Sequence, residues 1–306
     1  MSEDSAFFSG PDSLAERHET AAPRLVHASR NGWSEIHVID RGGRLRALKA
    51  LKPGFRGDAR YETLLRKEYE IGYSLSHTSI CEVYGFVSEP GLGNCIEMEW
   101  IDGRSLADIL AERRPDKATA RKWVLQLCDA LAYLHAKQII HRDIKPANLL
   151  VTHNGKNLKL IDFGCSDADA FTVLKGPAGT ASFAAPELRN GADVDNRADI
   201  WSLGKVIALL LPGEKKTAAR CTRTAREERF TDVEQVRDAL LRPRRWPILL
   251  ACTALVAAAL YLFLHQTAVR TDDPAPETPA ADSVDVETVD ELFRQATEMI
   301  EGADVQ

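Results

Sequence analysis

Apolar and polar positions along the chain follow three successive rhythms. From residue 24 to residue 100 they alternate in short runs: Leu25-Val26, then Ile36 and Val38, then 45–51, 83–88 and 94–100. Turn-forming stretches at Arg41-Gly42-Gly43 and Glu89-Pro90-Gly91-Leu92-Gly93 separate them. That pattern predicts strands joined by hairpins. One helix interrupts them at 61–75, where Leu64, Leu65, Ile71 and Leu75 recur at helical steps. Beyond residue 102 the period lengthens. Residues 105–111 and 119–137 read as helices, the second carrying Trp123, Leu127, Ala130, Leu131 and Leu134 on one face. A hairpin at 149–151 and 158–161 follows. Later, Thr231-x-x-Glu234 reads as a capping box opening a last helix that ends at Leu241.

The third rhythm has no polar phase. Nineteen residues, Pro247 to His265, contain no Asp, Glu, Lys or Arg. As a helix they would cover roughly 28 Å, against a hydrocarbon core of about 30 Å. A membrane span is the expectation. Residues 266–282 read as a Pro- and Ala-rich linker, and Val289, Leu292, Phe293, Ala296 and Ile300 as one short amphipathic helix in an acidic background. The first 23 residues are polar, lack an apolar core and read as a flexible leader without a secretory signal. The expected organisation is therefore a leader 1–23, a globular domain 24–241, a basic juxtamembrane stretch 242–246, a span 247–265 and an acidic tail 266–306.

Composition narrows the function classes. A net charge of −6 across 306 residues excludes the basic profile of a nucleic-acid binder. Six cysteines, scattered without a C-x-x-C pair or a His cluster, point to reduced thiols rather than disulfides or a zinc site. Arginines crowd the near side of the span at 242, 244 and 245, whereas only Arg270 and Arg294 follow it. By the positive-inside rule the globular domain lies in the cytoplasm and the tail outside it.

The candidate chemistry sits in His141-Arg142-Asp143-Ile144-Lys145-Pro146-Ala147-Asn148. This stretch holds a carboxylate, an ammonium two residues on and an amide three further. Such a loop can accept a hydroxyl proton, neutralise a phosphate and help hold a divalent cation. Nineteen residues after Asp143 comes Asp162-Phe163-Gly164, a second carboxylate followed by a flexible Gly. Together these motifs resemble the catalytic and metal-binding loops of eukaryotic-like Ser/Thr protein kinases, and the combination with one span resembles the membrane-anchored bacterial type.

That resemblance implies an α+β, two-lobed fold plus one transmembrane helix: a small β-rich lobe at 24–101 and a helical lobe at 102–241. It implies ATP and Mg²⁺ as cofactors and protein hydroxyls as substrates. Asp143 takes the role of catalytic base and Lys145 that of phosphate stabiliser. Asn148 and Asp162 take the metal, Lys49 and its partner Glu68 position ATP, and Glu70 is the competing choice for that partner. Met98 becomes the residue beside adenine, with the backbone of Glu99 to Ile101 bonding the base. Thr172 and Thr180 fall in the activation segment, Thr172 as a phosphate acceptor paired with Arg142. Glu187, Asp199 and Arg229 are implied as structural supports, and Cys165 as an accessible thiol.

Two departures from the family stand out. The three glycine positions of the nucleotide loop are Ser29, Asn31 and Ser34, with Trp33 at the usual aromatic position. Only twenty-five residues separate Gly204 from Arg229, so the second lobe is expected to be trimmed of a helix. These departures favour a pseudokinase as the rival, while the retained Lys49, Asp143, Asn148 and Asp162 favour the enzyme. Association with a second copy is left open.

Overall fold

The structure is a computed structural model and describes residues 22–29, 32–164, 166, 182–190, 193–242 and 255–262; of Arg189 and Asn190 only the backbone is described. The chain divides into two compact units, Met1–Arg242 and Pro243–Gln306. Residues 1–21 of the expected leader, and the acidic tail's linker and helix, lie outside the described residues.

In the first unit the alternating runs become one antiparallel sheet. Its strands are β1 (Arg24–Ala28), β2 (Ser34–Asp40), β3 (Leu45–Leu51), β4 (Val83–Glu89) and β5 (Gly93–Glu99), in the order β1-β2-β3-β5-β4. The period-two pattern divides β3 between two apolar clusters. Leu48 and Ala50 pack with Ile39, Leu92 and Cys95 on one face. Leu51 packs with Ile96, Leu64, Leu65 and Trp33 on the other, beneath helix α1 (Ala59–Tyr73). Asp58 caps α1 by accepting from the Arg60 backbone N–H, an interaction worth about 1 kcal/mol.

The helical lobe begins with a short strand, β6 (Gly103–Ser105), and α2 (Leu106–Glu112), then the long α3 (Lys117–Ala136). Asp116 opens α3 by accepting from Thr119 N–H, which starts the helix two residues before the apolar periodicity shows it. Strands β7 (Leu149–Thr152) and β8 (Leu158–Leu160) complete a three-stranded sheet with β6. Helices α4 (Pro186–Asn190), α5 (Arg197–Leu210), α6 (Lys215–Cys221) and α7 (Val233–Leu241) follow. Leu127, Leu131 and Leu134 of α3 share one buried core with Leu203 and Ile207 of α5 and with Val233 and Val236 of α7. Truncating any of those three leucines to Ala should cost about 2–5 kcal/mol.

The shortened interval after Gly204 has a plain structural form. Only four residues, 211–214, separate α5 from α6, which lies directly against it. A Cβ on Gly204 would come within 2.4 Å of the Cys221 Cβ, so the close approach requires glycine. The capping box, by contrast, is misplaced by one residue. Asp232, not Thr231, caps α7, accepting from Gln235 N–H at 2.8 Å. Thr231 instead accepts a side-chain bond from Gln235 at 2.6 Å.

In the second unit residues 255–262 are helical and exposed. Among the described residues no helix is long and apolar enough to cross a membrane. The rest of the expected span, 247–254 and 263–265, lies outside the described residues.

Candidate active site

The cleft between sheet and helices has a floor built around Asp199. This residue lies in the first turn of α5, fully buried, where an isolated carboxylate would be costly. It is satisfied three times over. Oδ2 accepts from His141 N–H at 2.8 Å and meets the His135 Nε2 at 2.9 Å, while Oδ1 accepts from Arg142 N–H at 2.9 Å. Burial works against its ionised form, but the bonds from His135 and the loop outweigh that and hold its pKa below the usual range. Arg142 takes a left-handed φ of 65°, a conformation that costs energy in a non-glycine residue and persists here because both flanks are tied down.

On that base the reacting groups converge. Lys145 Nζ donates to both carboxylate oxygens of Asp143, at 2.7 and 3.0 Å. Asn148 Nδ2 donates to the Asp143 carbonyl and to its Oδ2, each at 2.9 Å. Burial raises the Asp143 pKa, offset in part by Lys145, which moves the carboxylate towards a useful proton acceptor. Phe163 is buried in the helical core and meets the His141 ring edge-on at 5.3 Å. That anchors the strained turn at Asp162, whose φ is 70°.

The wall is a three-member charge cluster. Lys49 on β3 donates to Glu68 Oε1 at 2.6 Å and to Asp162 Oδ1 at 2.8 Å. Burial alone would lower the Lys49 pKa, yet Asp162 and Glu68 raise it well above the ordinary lysine value. Burial likewise opposes the charge on Asp162, and Lys49 overrides it, so this carboxyl stays ionised far into acid. Glu68 is pushed up to about 7, burial outweighing the pull of Lys49. The choice between Glu68 and Glu70 is thereby decided by contact.

At the rear, Met98 on β5 is half-buried and lies across from Ala47 and Val83. Glu99 donates its N–H to the Glu82 carbonyl at 2.8 Å and accepts from Lys159 Nζ at 2.7 Å. Ile101 N–H has no backbone acceptor among the described residues. A planar base offering an acceptor would complete that edge.

The roof departs from expectation. Trp33 does not reach over the cleft; it is buried with Leu51, Leu64, Leu65 and Ile96, its ring 6.2 Å from that of Tyr61 and 5.6 Å from Lys49 Nζ. Large aromatic area gains more under the sheet than over a solvated cleft. The backbone between β1 and β2 is further tied by Lys52 Nζ donating to the Ser29 carbonyl and by Ser29 N–H donating to Ser34 at 3.3 Å. Arg56 clamps the same end, reaching Glu35 at 2.7 Å and the Leu51 carbonyl at 2.8 Å. No spacing in the sequence marks Lys52, Arg56 or His135 for these tasks. Asn31 lies outside the described residues.

Arg142 Nη1 donates to the Ser166 carbonyl at 2.9 Å, so it already holds the start of the activation segment. Thr172, Thr180 and Cys165 lie outside the described residues. Downstream, Arg229 forks onto Glu187 at 2.6 and 2.9 Å in a buried pair. Burial disfavours the Glu187 charge, but the guanidinium prevails and lowers its pKa. The fork's remaining N–H groups bond the carbonyls of Arg197, Arg223 and Thr224.

The cation-binding chemistry fits. With Nδ2 engaged by Asp143, Asn148 turns its amide oxygen away, and Asp162 is only half-buried, with Oδ1 taken by Lys49 and Gly164. A carboxylate and an amide oxygen are hard donors of the kind Mg²⁺ takes alongside phosphate oxygens.

Comparison with known proteins agrees with this geometry. The protein kinase domain family matches residues 36–258. The Ser/Thr-protein kinase PknB of Mycobacterium leprae is 35% identical over 194 residues, covering 60% of this chain and 31% of that one. The CBL-interacting Ser/Thr-protein kinase 24 of Arabidopsis thaliana is 36% identical over 153 residues, covering 49% and 34%. The chain thus spans about a third of the length of the curated relatives it matches. Among solved structures, the kinase domain of Mycobacterium tuberculosis PknI superposes with a TM-score of 0.57 at 25% identity, covering 74% of this chain and 98% of that one.

Proposed function

This chain belongs to the protein kinase domain family, and from that membership we propose that it transfers the γ-phosphate of ATP to serine and threonine hydroxyls of proteins. The observation that carries the proposal is the intact cluster Lys49–Glu68–Asp162 beside Asp143, Lys145 and Asn148. A chain released from catalysis is free to lose each of these groups, and here all are held at bonding distance.

In this site Asp143 accepts the proton of the incoming hydroxyl, and Lys145 beside it faces the negative charge of the transferring group. Lys49, fixed by Glu68, is placed to hold the α- and β-phosphates. Asp162 and Asn148 would hold Mg²⁺, which neutralises phosphate charge when bound. The unpaired N–H of Ile101 and the carbonyl of Glu99 would bond adenine, with Met98 packed beside it. The test is phosphate incorporation into generic protein substrates at saturating Mg-ATP, wild type against Asp143→Asn. Equal incorporation by both would leave a partner-binding pseudokinase in its place.

The proposal extends to the membrane. Residues 255–262 carry Leu255, Val256, Leu260, Tyr261 and Leu262 at 59–70% exposure, an apolar surface that water does not favour. They sit within the uncharged run 247–265, so we infer a single span with the kinase on the cytoplasmic side. A reporter fused after Gln306 should read outside, and one at the N-terminus inside. Release of the full chain by carbonate would end this idea. Phosphorylation of Thr172, met by Arg142, completes the proposal. Mass spectrometry after incubation with Mg-ATP should find phosphate between Asp162 and Glu187, and an unmodified segment in an active preparation would refute it.

A further inference from the structure

The trimmed lobe leaves α6 with a bare, basic outer side. Thr217, Ala218 and Cys221 point inward and are buried, while Lys215, Lys216, Ala219, Arg220 and, just beyond, Arg223 are exposed. Two shallow concavities flank the ridge made by Lys216 and Arg220. One, about 360 Å³, also takes in Arg242, Phe230 and Asp238; the other, about 580 Å³, takes in Ala219, Arg223 and Glu228. Arg220 lies over the Phe230 ring at 4.2 Å and Arg223 reaches Glu228 only at 4.0 Å. Among the described residues, neither Lys216, Arg220 nor Arg242 has a carboxylate partner. The two concavities are thus lined by four cations and two carboxylates, on a chain whose net charge is −6. Unpaired cations gathered on one face want an anion from outside.

Where the chain leaves this face identifies the anion. Arg242 lines the first concavity, and only Pro243 to Trp246 separate it from the uncharged run. Four extended residues reach at most about 14 Å. Two of those four are again arginines, Arg244 and Arg245. We propose that the α6 face lies against the anionic headgroups of the membrane, holding the kinase domain in one orientation on the bilayer. The proposal rests on the span inferred above. Each Lys or Arg near an anionic leaflet is worth about fivefold in partitioning, so a cluster of this size suffices for lasting contact. The effect must weaken with salt, because it is screened within a Debye length.

The test uses the full chain in vesicles. Cys165 and Cys252 are replaced by serine, Ala219→Cys carries a fluorophore, and nitroxide-headgroup lipid serves as quencher; the four described cysteines are buried. Quenching should appear when phosphatidylglycerol is mixed into phosphatidylcholine, fall with added salt, and vanish in Lys216→Glu with Arg242→Glu. That variant should keep its thermal midpoint and its phosphotransfer rate in detergent, since both residues are exposed and unpaired. Equal quenching in neutral and anionic vesicles would overturn the proposal while the anchor stands. A label shielded in neutral vesicles and freed by removing residues 271–306 would give the face to the acidic tail instead. Release of the chain by carbonate would remove the anchor itself, a result that quenching cannot mimic.

Discussion

The floor and the roof of the nucleotide cleft solve the same problem by different means. On the floor, position is over-determined by hydrogen bonds: Asp199 alone fixes two loop N–H groups and a histidine, and Asn148 and Lys145 then fix Asp143. On the roof, none of the three positions where glycine would let backbone mould itself to phosphates carries one, Gly32 standing one place out of register. Position comes instead from burying Trp33 and from the Lys52 and Arg56 clamps. Bonds aimed at reacting atoms act on the transition state, whereas an anchored roof acts on binding. Damage to the floor should therefore appear in kcat and damage to the roof in KM for ATP.

The largest expected effects break the floor. Asp143→Asn removes the base and should lower kcat about 10²–10⁴-fold, and Asp162→Asn should do no less because it takes charge from the phosphate site. Circular dichroism should show both folded. Next comes Asp199→Asn, which leaves one loop N–H of His141 or Arg142 unpaired. At about 1–3 kcal/mol for that group, kcat should fall about 5–150-fold if the full cost reaches the transition state, with a lowered Tm. An unchanged kcat would show that the loop holds itself.

Smaller effects test the roof. Trp33→Ala should raise KM for ATP about tenfold, roughly 1.4 kcal/mol of binding, and Trp33→Phe should recover most of it. Steady-state titration of ATP decides; a loss confined to kcat would erase the distinction between floor and roof. The wall adds a pH signature. Glu68, pushed up to about 7, takes a proton as pH falls through that value, and Lys49 loses a counter-charge. kcat/KM for ATP should therefore drop on the acid side of about pH 7, and Glu68→Gln should be low and flat across the same range. The smallest change is expected from Ser29→Gly with Ser34→Gly, a few-fold tightening of ATP, because serine already supplies the backbone amides.

How much of this was legible in the sequence follows the same division. The floor's reacting residues lie in one contiguous stretch, and Glu68 and Asp162 stand at recognisable intervals, so their convergence was readable. Trp33 was not, because an aromatic beside a loop fits a flap and a core equally well until helix α1 supplies the rest of the core. Thr231 and Asp232 are both good caps with Glu234 or Gln235 three residues on, so the pattern alone leaves their register degenerate. His135 and Arg56 act through contacts 64 and 21 residues away, which no local period encodes. Helix α6 lying straight on α5 was visible only as a short interval.

The place of Asp199 has one more consequence, for the order in which the molecule becomes competent during its own synthesis. Asp143 leaves the ribosome 56 residues ahead of the carboxylate that shapes its loop. At about 5–20 residues per second, that is a delay of roughly 3–11 s. Once Asp162 has followed, the nascent chain displays every reacting group for a further 37 residues without the turn that aims them. A chain ending just before Asp199 should carry the complete set of catalytic side chains and transfer nothing, so competence arrives late and all at once.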